Sequence, residues 1–295
     1  MTTDRPAAPS RPAAFRRGGN AIGGAVLLVF ALAAAGASAS STLEQAREKG
    51  SIRIGFTNEA PFGYATPGGD VTGEAPEIAK RIFKRMGIDS VDAVLTEWAS
   101  LIPGLRARRF DVIAAGMFIT PARCAQVAFS NPTYRLGQGL LVKADNPLDL
   151  HSYKDVANNA KAKLAIIAGT IERSYARKAG IPGDKILTVP DQTSMLSAVQ
   201  FGRADAAALT ALSIRRMAGK GGDRVEVASP FETPDYAYGY GAFAFRKDDL
   251  TLRNAVNQEL AEFVGSDEHL ALVAPFGFTR NELPGTTVAA ALCGD

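Results

Sequence analysis

The chain has 295 residues, 46% of them apolar and 21% charged. These proportions are ordinary for a globular protein of about two domains and exclude collagen-like, coiled-coil and intrinsically disordered readings. The 33 Lys and Arg against 30 Asp and Glu give a formal charge of +3. That excess lies in residues 1–39, where Arg5, Arg11, Arg16 and Arg17 face Asp4 alone. The remainder is neutral and offers no basic excess for phosphates, so no nucleic acid is expected as a partner.

Taken in chain order, the first segment reads as an export signal. An Arg-bearing stretch ending at Arg16-Arg17 is followed by an apolar run from Ala21 to Ala35 and then by Ala37-Ser38-Ala39. This is the three-part pattern of a cleaved secretory leader, with the mature chain starting near Ser40 and residing in the periplasm. The apolar run is shorter than the ~20 residues that span a bilayer, and an uncleaved anchor is the alternative. Cys124 and Cys293, the only cysteines, fit either a disulfide in an exported protein or two unpaired core residues.

Thr42 to Lys49 reads as a helix, and Ser51 to Phe56, with Ile52, Ile54 and Phe56 alternating, as a strand that breaks at Asn58-Glu59-Ala60-Pro61. After a Pro-Gly-Gly-Asp turn, Ile78, Ile82 and Met86 recur every fourth residue and predict a helix over Glu74 to Met86. A strand is expected around Val91 to Thr96, a short helix over Ser100 to Arg109 and a buried strand over Phe110 to Ala115. Strands alternating with helices point to an α/β sheet.

An internal echo suggests that this unit occurs twice. Leu101-Ile102-Pro103-Gly104-Leu105-Arg106-Ala107-Arg108-Arg109-Phe110-Asp111-Val112 and Leu196-Ser197-Ala198-Val199-Gln200-Phe201-Gly202-Arg203-Ala204-Asp205-Ala206-Ala207 both read as helix, basic turn, Asp and small-residue strand. The second copy would add strand Lys163 to Ala168, helix Ile171 to Ala179 and strand Lys185 to Val189. Tyr240 to Arg246 then reads as a strand returning to the first lobe, with a helix over Thr251 to Val264. The expected organisation is therefore residues 1–39 as signal peptide, 40–131 and 240–295 as one lobe and 132–239 as the other. The chain would cross twice, near Ser130 to Tyr134 and near Tyr236 to Gly241, and the cleft between lobes is where a small ligand is expected.

The sequence carries no HExxH, CxxC, GxSxG or phosphate-binding GxxxxGK[ST]. His151 and His269 have no metal-ligand spacing and read as surface or capping residues. No catalytic residue, metal or cofactor is expected. What stands out is where aromatic and charged residues fall: Glu59 and Phe62 after the first strand, Trp98 after the second, Phe118 and Arg123 after the third. Side chains at those strand ends face the crevice of an α/β sheet. Each also fits a plain structural role, Phe62 and Phe118 as core, Trp98 as a shield on a helix end, Glu59 with Arg123 as a surface pair. Their recurrence at equivalent strand ends favours a site.

Gly116-Met117-Phe118-Ile119-Thr120-Pro121-Ala122-Arg123, followed by Val127-Ala128-Phe129-Ser130-Asn131-Pro132, resembles the signature of extracellular solute-binding proteins, which serve ATP-driven importers of polar amino acids and related solutes. The likeness extends over about residues 41–290, including Glu77, Asp111, Gly169-Thr170 and Gly202-Arg203-Ala204-Asp205. It implies a two-lobed, type II periplasmic-binding-protein-like α/β fold with two hinge crossovers, acting as a monomer that delivers its solute to ABC permease subunits. It also implies that Arg123 binds the ligand carboxylate, with the backbone around Gly116 and Phe118 completing the first-lobe contacts. Thr170 and the backbone of Ile171 would close on the same anion, which the N–H groups of a helix start favour independently.

Amino-acid binders of this family usually hold the α-ammonium with an aspartate where this chain has Thr210. Instead, Glu59 with Phe62, Trp98 and Phe118 offers a carboxylate beside aromatic faces, each of which contributes ~0.5–2 kcal/mol to a cation within about 6 Å. Along Ile54-Gly55-Phe56-Thr57-Asn58-Glu59-Ala60-Pro61-Phe62-Gly63-Tyr64 the chain resembles the ectoine and hydroxyectoine receptors of that family, in which an aromatic cage and a glutamate hold a cyclic amidinium. A small zwitterion of that kind is the expected ligand. The alternatives are a polar amino acid, a quaternary-ammonium solute, or a cyclohexadienyl-dehydratase-like enzyme on the same fold with Glu59 as general acid.

Overall fold

The computed structural model describes residues 40–294, so the expected signal peptide lies outside the described residues. These residues form two large sheets joined by two crossings, and a two-stranded ribbon in which Tyr64–Ala65 pairs with Val71–Thr72. In the first, strands run in the order Ser90–Leu95, Ser51–Phe56, Val112–Phe118, Gly239–Phe245 and Ala128–Phe129, and Tyr134–Leu136 also pairs with Gly239–Phe245. The second runs Ile186–Val189, Leu164–Ile167, Ala206–Thr210, Gln138–Lys143 and Val225–Val227. Each has a parallel half followed by an antiparallel strand: Gly239–Phe245 lies antiparallel to Val112–Phe118, and Gln138–Lys143 antiparallel to Ala206–Thr210. The echoed sequence units occupy equivalent third places in the two sheets.

Both faces of each sheet are covered, which is why the central strands are apolar throughout rather than alternating. On one face of the first sheet, Ile54 and Val112 pack with Ile78, Ile82 and Phe83 of the helix Glu74–Arg85. On the other, Ile113 packs with Leu101, Leu105 and Phe110. In the second sheet Leu164 and Ile166 face Tyr153 and Val156, while Ala165 and Ile167 face Met195 and Val199.

The predicted elements recur with end shifts of a few residues. The strand expected over Phe110 to Ala115 runs Val112–Phe118, carrying Gly116 and Phe118 into the sheet. The chain leaves the first sheet after Leu136 rather than at residue 132, because Tyr134–Leu136 still pairs with Gly239–Gly241. His269, expected at the surface or as a cap, is buried: its Nδ1 accepts the Gly265 N–H (3.1 Å), and burial pushes its pKa down to about 4. Cys124 and Cys293 are joined in a disulfide that ties the short helix Pro121–Cys124 to the C-terminal helix Ala289–Cys293. Among the described residues no helix is long and apolar enough to cross a membrane, and no group of three or more His, Cys, Asp or Glu is placed to hold a metal ion.

Candidate functional site

The strand ends of the two sheets face each other across a narrow hollow. From the first lobe it is lined by Glu59, Phe62, Trp98, Gly116, Phe118 and Arg123, and from the second by Thr170, Ile171, Glu172, Leu209 and Thr210. Every residue singled out from the sequence for ligand contact therefore borders one hollow, joined by three that were not.

Local structure explains the placement. After the strand Ser51–Phe56, a tight turn is closed by Glu59 N–H to Gly63 O (2.8 Å) and Gly63 N–H to Glu59 O (3.0 Å), which carries Glu59 and Phe62 to the same side. Phe62 packs on Tyr134 (centroids 5.3 Å apart) and edge-on to Phe278 (5.8 Å), so its ring is fixed from behind. Gly116 has φ +65°, and a Cβ there would lie 2.5 Å from the Phe62 ring, so only glycine fits both the backbone and the contact. The helix Pro121–Cys124 starts at Thr120, whose hydroxyl accepts the Arg123 N–H, and the Arg123 side chain folds back to donate to Phe118 O (2.8 Å).

Two features change the expected cage. The Arg123 guanidinium stands 5.6 Å from the centroid of the Trp98 ring, so one face of Trp98 already serves a cation of the protein. The indole N–H donates across the cleft to Gly169 O (3.2 Å). In the second lobe the expected anion-binding turn has its own acid: Glu172, the first residue of the helix Glu172–Lys178, is 2% exposed. Thr170 Oγ1 donates to Ile167 O (3.0 Å). With its amide oriented to suit its neighbours, Gln138 donates to Glu172 Oε1 at 3.0 Å, and the other carboxylate oxygen, Oε2, has no partner. Thr210 caps the helix Ala211–Gly221 through the Ser213 N–H (3.4 Å).

The electrostatics follow from burial. Glu59 is pushed up to about 8, chiefly by loss of solvent and then by the charge of Glu172, against the Ser213 hydrogen bond and Arg123. Glu172 is raised by burial, against the N–H groups of its helix start, Gln138 and the charge of Arg123. Burial lowers Arg123, with Glu172 the largest opposing influence; a guanidinium nonetheless stays charged. The hollow thus holds one cation and two carboxyls, one per lobe, that gain from a ligand bringing positive charge and N–H donors.

Sequence reasoning passed over Glu172, Leu209 and the supporting Gln138. Glu172 had a signal, since it directly follows Gly169-Thr170-Ile171. An acid in a first helical turn usually reads as a solvated partner of the helix dipole, whereas here Gln138 of its own lobe and Arg123 of the other stand beside it.

A two-lobed α/β fold whose strand ends converge on one charged hollow defines a binding protein for a small polar solute. Residues 52–278 match the family of bacterial extracellular solute-binding proteins, family 3, and the chain belongs to that family. It is 40% identical over 243 residues, 80% of each chain, to the Sinorhizobium fredii (strain NBRC 101917 / NGR234) "Probable amino-acid ABC transporter periplasmic-binding protein y4tE". It is 26% identical to the histidine-binding periplasmic protein of Salmonella typhimurium, over 80% of this chain and 90% of that one. Among solved structures, EhuB in complex with hydroxyectoine is similar at 40% identity and TM-score 0.79, over 85% of this chain and 97% of that one. An ancestral amino acid-binding protein, a precursor of cyclohexadienyl dehydratase, is similar at 31% identity and TM-score 0.72, over 80% of this chain and 99% of that one.

Proposed function

We propose that this chain is the periplasmic receptor of an ABC importer and that its solute is ectoine or hydroxyectoine. The observation that carries the reading is the charge pattern of the cavity: Arg123 at one side, and Glu59 and Glu172 approaching from opposite lobes beside Phe62, Trp98 and Phe118. A cyclic amidinium presents two N–H donors, one for each carboxylate, and its flat, diffuse charge suits aromatic neighbours. The carboxylate on the same ring pairs with Arg123. The likeness to EhuB, whose structure holds hydroxyectoine, supports this assignment.

The ligand binds first to the lobe that holds Arg123 and the rings, and hinge closure then brings in Glu172, Thr170 and Ile171. Closure removes water, so charge pairs that are weak in solvent become strong. The closed form is what the permease subunits receive. A quaternary-ammonium solute has no N–H for either carboxylate and fits less well. A second reading, a cationic amino acid, is favoured by the excess of carboxylates over Arg123; Thr210 in place of an aspartate counts against it. A dehydratase would use Glu59, neutral below about pH 8, as its acid.

The test is calorimetric titration with ectoine, hydroxyectoine, glycine betaine, proline, glutamine, arginine and histidine, with prephenate incubated separately for product. Saturable binding of ectoine or hydroxyectoine at least tenfold tighter than the rest is expected, with no turnover (about 1.4 kcal/mol per tenfold). Preferential arginine or histidine binding would sink the ectoine reading, and product from prephenate would establish the enzyme.

A further inference from the structure

The lobes also meet along a band of direct hydrogen bonds lying between the inner cavity and the mouth of the cleft. Gln192, the first residue of the second-lobe helix Gln192–Gln200, is 7% exposed. It pairs with the first-lobe backbone of Ala60 in both directions: Nε2 donates to Ala60 O (2.9 Å), and the Ala60 N–H donates to Oε1 (3.3 Å). Beside it, the fully buried Ser213 hydroxyl donates to Glu59 Oε1 (3.1 Å). The Trp98 indole reaches Gly169 O, and Gly169, at φ +80°, sits so close to the first lobe that a Cβ would lie 3.1 Å from Ala99.

Gln192 differs from the other members of this band in where it stands. Trp98 and Glu59 border both hollows, whereas Gln192 lines the outer one, a mouth of about 350 Å³ shared with Thr57, Leu95, Glu97 and Asp191. Its hydrogen bonds go to main-chain groups, which are the same whatever solute is inside.

We propose that Gln192 is an affinity-determining residue that does not touch the solute: with Ser213 and Trp98 it forms a clasp that holds the lobes shut and sets the closing equilibrium on which every ligand draws. A residue that acts only on this equilibrium changes apparent affinity by one factor for all solutes, because intrinsic contacts and their differences are untouched. Residues of the inner wall such as Glu59 and Glu172 instead change the ratio between solutes. The clasp forms after the solute has entered, so its loss accelerates dissociation and leaves association unchanged. The inference rests on the receptor reading but not on which solute is bound.

Trp98 is the chain's single tryptophan and lies within the clasp, so its fluorescence reports closure. The experiment is stopped-flow fluorescence on the parent, Gln192→Ala and Gln192→Met with ectoine, hydroxyectoine, arginine and histidine, read on every solute that binds the parent. Ligand-free thermal unfolding verifies that the variants fold. The expected result is a dissociation rate raised about tenfold in both variants, the loss of two modest hydrogen bonds, by the same factor for each solute and with association rates kept. An unchanged dissociation rate, a factor that differs between solutes, or a loss in Gln192→Ala that Gln192→Met restores would overturn the clasp. Binding of arginine or histidine without ectoine sinks the ligand assignment alone, since the rate comparison then runs on those solutes.

Discussion

The two lobes share a topology and divide the chemistry. In each, the strands at equivalent places in the sheet deliver their C-terminal ends to the cleft. The first lobe places three aromatic rings, a guanidinium and Glu59 there; the second places Glu172, two threonines and two aliphatic side chains. Support differs too. Phe62 and Phe118 are backed by Tyr134, whose hydroxyl is itself fixed on Gly116 O at 2.7 Å, so the rings of the first-lobe wall are packed from behind. Glu172 is held by Gln138 and has a free oxygen facing no partner. The comparison teaches that two lobes of one topology can differ in chemistry by side chain alone, which is the division the proposed receiving and closing roles require.

The largest effect that would break this division is at Arg123. Replacement by Ala should weaken ectoine binding by about 2–5 kcal/mol, because a desolvated charge pair is removed and its partner left unpaired. Calorimetry on Arg123→Ala that gives the parent's affinity would mean that the receiving lobe is not the first.

The first-lobe wall was legible in the sequence, and of the second-lobe wall the turn at Thr170 and Ile171 was, while its acid Glu172 was not, for a physical reason. Ser51–Phe56 shows its strand by the alternation of Ile52, Ile54 and Phe56, and residues just past a strand end are known to face a crevice, so Glu59, Phe62, Trp98, Phe118 and Arg123 could be placed from local pattern. Glu172, Gln138 and Gln192 owe their burial to groups more than thirty residues away or across the cleft. No periodicity encodes such a partner. The same limit applies to Trp98: sequence could place it at the wall, but not show that Arg123 occupies one of its faces.

Next in size are the paired carboxyls, which sharpen the comparison by setting one lobe against the other. Glu172→Gln and Glu59→Gln should each cost about 1.5–3 kcal/mol of ectoine affinity as charge-assisted hydrogen bonds are weakened. The cost at Glu172 should fall mainly on dissociation, as expected of the closing lobe. Proton linkage reads the same groups in the parent. Glu59 is raised to about 8 without ligand, so at pH 7 it is largely protonated, and a bound cation must displace that proton. Affinity should therefore rise with pH up to about 8 and level above it. Titrations in buffers of different ionisation enthalpy should register proton release, and in Glu59→Gln that release should shrink. Proton uptake would reverse the assignment.

A smaller loss is expected where the first lobe offers only a ring. Phe118→Leu keeps an apolar wall and removes one π face, so ectoine affinity should drop by about 0.5–2 kcal/mol. A competing neutral solute of similar size should be unaffected, and an equal loss for both would assign Phe118 to packing rather than to the cation.

The least effect on binding is expected at Glu74, which shares the first lobe and the elevated value of Glu59 but not its place. Glu74 is 1% exposed, accepts a hydrogen bond from the Thr133 hydroxyl (2.7 Å) beside the crossing between lobes, and is likewise pushed up to about 8 by burial. Its folded value lies above its ordinary value of 4.5, so the folded chain keeps a proton that the unfolded chain releases. Stability from this group is complete below pH 4.5, falls as pH rises toward about 8 and is flat beyond. Glu74→Gln removes that slope while Glu59 and Glu172 keep theirs. The variant's stability advantage over the parent should therefore grow with pH through this window, by on the order of 4 kcal/mol, and ectoine affinity should stay within about twofold of the parent's, the scale of a change remote from the ligand. Denaturant titrations at several pH values, paired with calorimetry, separate the two carboxyls: one titrates with the ligand, the other with the fold.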